Sequence, residues 1–128
     1  MLIALVFDRQ QQFLHIKASG QISINDFESA LQVILSSEEY PPDIATLWDL
    51  QNFDFSVISS KFEKSIIDIH KKYPARGKTR FAMLVSSQLG VGLSMMYKSL
   101  SSMHGIPHEF KVFQNIDDAK SWLTGQQP

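Results

Sequence analysis

Strand and helix patterns that alternate along the chain constrain its fold more than any other feature. Two apolar segments at residues 2–8 and 12–18 come first, and in the second every other side chain is apolar, as in a strand with one buried face. The polar residues between the two segments predict a hairpin. Helix and strand patterns then follow one another, so the predicted order is β-β-α-β-α-β-α-β-α.

The ends of several elements are also recognisable. Ser23 and Asp26 form a capping-box pattern, which predicts a helix over 24–36. The later elements are predicted as a strand at 44–50, a helix at 57–73, a strand at 80–86, a helix at 87–104, a strand at 110–113 and a last helix capped by Asn115. Successive βα units imply parallel strands. The sequence therefore predicts one α/β domain over residues 1–124, with a five-stranded mixed sheet, an antiparallel N-terminal hairpin, four helices and a frayed tail at 125–128.

Composition narrows the class of protein. The 12 Lys and Arg residues balance 13 Asp and Glu residues, so no overall field attracts nucleic acid or an anionic membrane. Five basic residues fall between residues 71 and 80, and we interpret them as a solvated basic turn. Cysteine is absent, which excludes disulfides and thiolate metal sites, and no apolar run approaches the roughly 20 residues of a membrane span. We expect a cytoplasmic domain without a nucleic-acid partner.

The end of the third strand holds the candidate regulatory site. Ligands of open α/β sheets gather at the carboxyl ends of strands, and Asp49 lies there. Phosphate on Ser56, Ser59 or Ser60 would meet free N–H groups at the positive end of the helix dipole. The alternatives are that Ser56 only caps the helix and that Asp49 only fixes its loop through backbone N–H groups.

The helix at 87–104 predicts an interaction surface. At 100° per residue one face carries five large apolar residues that we expect to contact the sheet, namely Leu89, Leu93, Met96, Leu100 and Met103. Val91 and Met95 then point outward and indicate contact with a partner or an apolar ligand, unless they are scattered surface residues. Tyr97 lies at the flank, where it lines either a pocket or the domain edge.

Recognised motifs of catalysis, cofactor binding and metal binding are absent. Gly90 and Gly92 open a helix after a strand, but the third glycine position of a dinucleotide motif is occupied by Met95. His104 and His108 are separated by helix-breaking residues, and the other two histidines belong to different elements, so no zinc spacing arises. We therefore expect no enzyme activity, no cofactor and no metal.

Three segments resemble the SpoIIAA-like fold of STAS domains, which include the anti-sigma-factor antagonists. They are residues 20–27 (GQISINDF), 47–50 (LWDL) and 112–123 (VFQNIDDAKSWL). With the order of elements, they resemble most the uncharacterised small bacterial proteins of the STAS/SpoIIAA-like group. In the antagonists a serine in an Asp-Ser-Ser-Gly motif is phosphorylated. That motif falls on residues 57–60, where Ser59 keeps the serine and the acid and the glycine are missing.

The resemblance implies a function without catalysis. We expect a regulatory or protein-interaction module that binds a protein partner or a second copy of itself, and that is modulated at the serines before the second helix. The alternative is a binder or carrier of a small apolar or lipid-like ligand. It rests on the Leu, Met and Gly content of the helix at 87–104 and on lipid-binding domains of the same fold, whose helices lift from the sheet.

Overall fold

The computed structural model describes residues 3–125, which form a five-stranded sheet and four α-helices. The strands are β1 (Ile3–Asp8), β2 (Phe13–Gly20), β3 (Ala45–Phe53), β4 (Arg80–Leu84) and β5 (Glu109–Phe113). The helices are α1 (Ile24–Ser36), α2 (Ser60–Lys72), α3 (Gln88–Met103) and α4 (Ile116–Leu123). Residues 126–128, most of the predicted tail, lie outside the described residues.

The sheet has the predicted topology. Its strands lie side by side in chain order, with β1 and β2 antiparallel and each later pair parallel. Helices α1, α2 and α3 contribute to the apolar clusters on one side of the sheet, which we call the three-helix face. Helix α4 packs on the opposite side, the α4 face. No helix within residues 3–125 combines the length and the apolar character that a membrane crossing requires.

Neighbouring residues of β3 point to opposite faces because side chains alternate along a strand. Leu47 is fully buried in the cluster that α4 covers. Trp48 packs on the three-helix face, where its ring lies 5.5 Å from that of Phe27 and 6.3 Å from that of Phe81. The next residue, Asp49, consequently lies on the α4 face.

The caps of three helices define where the elements begin. The Ser23–Asp26 capping box is present, and the Asn115 side chain accepts from two backbone N–H groups of α4, as predicted. Helix α2 begins later than predicted, because Ser59 and not Ser56 is its cap. Ser56 instead belongs to a separate 3-10 turn over Phe55–Val57, whose cap is Asp54.

Candidate functional site

A cavity of about 110 Å³ lies between the three-helix face and helices α2 and α3. Most of its wall is apolar, and aromatic rings dominate it, including Phe27, Trp48, Phe62, Phe81 and Phe110. Four polar side chains also line it, namely Glu63, His70, Ser94 and Tyr97. A mostly apolar cavity with a few converging polar groups is the usual form of a small-molecule site.

Glu63 places a carboxyl group inside this apolar wall. It lies on α2, seven residues or two helical turns before His70. Both side chains therefore share one helix face with Ile67. Glu63 is only 4 % exposed, and no described atom forms a hydrogen bond to its Oε1. Burial raises the pKa of the carboxyl from 4.5 to about 7. Near neutral pH the group is therefore divided between its acid and its carboxylate form.

Tyr97 brings a hydroxyl group to the same part of the cavity. The side chain is 8 % exposed, and within residues 3–125 its hydroxyl has no hydrogen-bond partner. Burial raises the pKa of this hydroxyl well above its usual range, the neighbouring Ser101 hydroxyl offsets part of that rise, and Glu63 adds to it. Tyr97, which we placed at the flank of its helix, therefore lines a pocket, the first of the two positions considered.

His70 lies further along α2 and is another of the four polar side chains in the cavity wall. Its ring packs edge-on against Phe27 and Phe81, and neither ring nitrogen finds a partner among the described residues. The ring of His108 is 4.7 Å away. Burial lowers the pKa of His70 to about 3, helped by the charges of His108 and Arg76. Both histidines are neutral at pH 7, because burial also lowers the pKa of His108 to about 4.

Arg76 corrects the interpretation of residues 71–80 as a solvated basic turn. Its side chain is fully buried, and its guanidinium donates to the Pro42 carbonyl at 2.6 Å. The same group lies 5.3 Å from the centre of the Phe81 ring. Burial lowers the pKa of Arg76 to about 10, which leaves it charged at neutral pH. It supports the site from behind Phe81 and does not form part of the cavity wall.

The orientation of α3 differs from the one predicted. Its buried residues are small or polar, apart from the ring of Tyr97, and they are Gly90, Ser94, Tyr97 and Ser101. Leu89, Met96 and Met103, which were predicted to face the sheet, are 54 %, 46 % and 81 % exposed. Of the two residues predicted to point outward, Met95 is 47 % exposed and Val91 is half-buried.

Small residues explain this orientation. A Cβ atom at Gly90 would lie 3.0 Å from the Phe55 ring and 3.2 Å from Cβ of Val85, so only glycine fits here without displacement of its neighbours. A helix face of small side chains lets the backbone of α3 approach the sheet closely. The requirement for close approach therefore outweighs the larger apolar area that the opposite rotation would bury.

The residues of the candidate regulatory site do not meet in the cavity. Asp49 lies on the α4 face, where its carboxylate is 3.3 Å from His15 Nε2 and accepts from the Gln51 N–H at 3.3 Å. Ser59 is exposed on the other side of the sheet and accepts from the Phe62 N–H as the cap of α2. Asp49 lies within β3, which runs on to Phe53, and not at the strand end that the sequence predicted; the backbone N–H that it accepts from belongs to the same strand.

The other two serines are also accessible. Ser56 donates to the Asp54 carboxylate, and Ser60 is the exposed first residue of α2. Among the described residues there is no group of three or more His, Asp or Glu side chains arranged to hold a metal ion. His104 contacts Lys71, and His70 contacts His108.

Comparisons with known proteins agree with this architecture. The family model described as SpoIIAA-like matches residues 13–124. A solved structure, described as an uncharacterized protein from the DUF3478 family with a SpoIIAA-like fold from Shewanella loihica PV-4, is similar with a TM-score of 0.64 and 23 % identity. The match covers 94 % of this chain and 91 % of that one. A comparison with curated proteins finds no match. With a family model that spans most of its length, the chain belongs to the SpoIIAA-like family.

Proposed function

We propose that this STAS-type domain is a non-catalytic regulatory module that binds a small apolar molecule between the sheet and helices α2 and α3. The observation that carries the proposal is the cavity of about 110 Å³ with its largely aromatic wall. Engineered cavities of about 150 Å³ bind benzene. The somewhat smaller cavity here therefore suits a molecule the size of benzene or slightly smaller.

The energetic cost of the cavity supports a role in binding. Protein interiors are close-packed, and unfilled volume costs about 24 cal/mol per Å³. A larger side chain at Ser94 would fill part of the volume, and a ligand would recover the lost contacts in the same way.

A cavity-filling variant tests this proposal. We expect Ser94→Leu to place its larger side chain in the cavity that Ser94 lines. The variant should then lose the binding of benzene, measured by ¹H–¹⁵N NMR titration, because the side chain occupies the site. Ser99→Leu, at an exposed position of the same helix, is the control and should leave benzene binding unchanged. Failure of the unmodified protein to bind benzene would contradict the proposal.

A second candidate function, self-association, is favoured by the exposed side of α3. Leu89, Met96 and Met103 recur every seven residues and so form one apolar stripe, which we call the α3 stripe. Met95 is exposed beside it. Monomeric proteins rarely expose large contiguous apolar patches, and methionine adapts readily to a partner surface. The α3 stripe would then be the contact between two copies of the chain.

Charges on the α3 stripe test self-association. We expect the double variant Met96→Glu and Met103→Glu to shift the protein from dimer to monomer in sedimentation equilibrium, because two buried carboxylates would face each other across the contact. Ser102→Glu, exposed on another side of the helix, is the control and should leave the dimer intact. A protein that is monomeric at every concentration before substitution would contradict this second function.

A further inference from the structure

We infer that the ligand of the cavity is a small uncharged molecule with a hydroxyl group, held by Glu63 and Tyr97. This inference rests on the proposed function and names the chemical class that the site selects. Its basis is two buried polar atoms of cavity-lining residues that find no partner within residues 3–125, namely Glu63 Oε1 and the Tyr97 hydroxyl. Trp48 Nε1 and the two ring nitrogens of His70 share this property, in a wall that is mostly apolar.

Buried polar atoms without partners are uncommon in folded proteins. Most form a hydrogen bond, and leaving one unsatisfied costs more than the bond itself contributes. Glu63 and Tyr97, which carry these two atoms, line the same cavity from the neighbouring helices α2 and α3. A ligand that bonds to both would remove two desolvation costs, whereas a pure hydrocarbon would leave them unchanged.

The chemistry of the two groups selects the type of ligand. The carboxylate of Glu63 accepts a hydrogen bond, and the Tyr97 hydroxyl can donate one. A single hydroxyl group on the ligand satisfies both, because it donates once and accepts as well. A phenol or a short-chain alcohol therefore matches the polar pair and the apolar wall together.

Charged ligands match the cavity less well. Neither Lys nor Arg is among the described residues that line it, so an anionic ligand would face Glu63 with no balancing cation. An ammonium group would be attracted to Glu63, but it would have to leave water for a cavity with a single acidic partner, and burial of an ion pair rarely repays that desolvation. The geometry therefore favours a neutral hydroxyl compound over either kind of ion.

Phenol and benzene form the probe pair, since they differ by one hydroxyl group. We expect phenol to bind the protein about five- to ten-fold more tightly than benzene in NMR titrations at pH 7, as one net hydrogen bond contributes about that much affinity. Tyr97→Phe should lose most of the preference for phenol over benzene. Glu63→Leu provides a second variant with the same expected loss.

Tyr73→Phe is the matched control. The Tyr73 hydroxyl bonds to Glu28 at 2.6 Å and accepts from Gln32 at 3.0 Å, away from the cavity, so this variant should keep the preference for phenol. Equal affinities for phenol and benzene would overturn the inference and leave the proposed function standing. Tighter binding of benzylammonium or benzoate than of phenol would overturn it as well. If neither phenol nor benzene binds, the proposed function fails and this inference with it.

Discussion

Glu63→Gln is expected to stabilise the protein increasingly as the pH rises, with a difference in the free energy of unfolding that reaches roughly 3 kcal/mol at pH 9. The reason is the burial of Glu63, which raises its pKa from 4.5 to about 7 in the folded state. Between these two values the folded protein binds a proton that the unfolded chain has released. Stability is therefore lost as the pH rises from about 4.5 to about 8, and the variant escapes this loss.

Urea unfolding of both proteins at pH 5, 7 and 9 measures this difference. Common contributions from other acidic groups cancel in the comparison, so the gap between the two free energies reports Glu63 alone. Glu38→Gln, at an exposed position, is the control and should give a gap near zero at every pH. A constant gap between the proteins across the three pH values would show that the carboxyl of Glu63 titrates normally.

The protein is expected to lose free energy of unfolding between pH 7 and pH 4, and His70→Phe is expected to reduce that loss by roughly 3 kcal/mol. Burial, with the charges of His108 and Arg76, lowers the pKa of His70 from 6.5 to about 3. Between these values the unfolded chain binds a proton that the folded protein does not. Stability therefore falls as the pH drops below about 6.5, and phenylalanine removes this part of the loss while keeping an aromatic ring.

Urea unfolding at pH 7, 5.5 and 4 measures the effect. His104→Gln provides the control, because His104 is only half-buried, lies at the end of α3 and contacts Lys71. It should leave the pH dependence of the unmodified protein in place. Equal losses of stability in the unmodified protein and in His70→Phe would contradict the neutral buried state of His70.

Binding and stability are connected through the same side chains. Oε1 of Glu63 and the hydroxyl of Tyr97 find no hydrogen-bond partner in the part of the chain that the structure describes, which lowers stability, and a hydroxyl ligand would supply such partners. Natural proteins often accept such local costs at functional sites. The cavity and the unpartnered groups that line it are therefore better explained together, as a binding site, than as two separate packing defects.

Much of the fold could be predicted from the sequence because it depends on local patterns. The alternation in residues 12–18, the capping box at Ser23 and the cap at Asn115 each act over a few residues, and the structure confirms all three. The ends of elements depend on which of several competing caps forms. Ser56 and Ser59 both suit a helix cap, and the choice of Ser59 depends on Asp54, which holds Ser56 in a separate turn.

The rotation of α3 could not be predicted from its apolar periodicity. That periodicity placed Leu89 and Met96 against the sheet, whereas Gly90 and Ser94 occupy that position. The choice depends on Phe55, which lies far along the chain and leaves no room for a Cβ atom at Gly90. Glu63 was missed for a related reason, although its spacing from Ile67 and His70 is that of a buried helix face.

The sequence by itself determined the order of the elements, the mixed sheet and the SpoIIAA-like family. Hydrophobic periodicity and helix caps depend only on residues that are close together in the chain. Only the tertiary structure decided which polar groups meet. Asp49 and the cavity lie on opposite faces of the sheet, while Glu63 and Tyr97 converge from two helices. The physical reason is that burial and hydrogen-bond satisfaction depend on neighbours that are distant in the chain, so they arise only once the helices have packed.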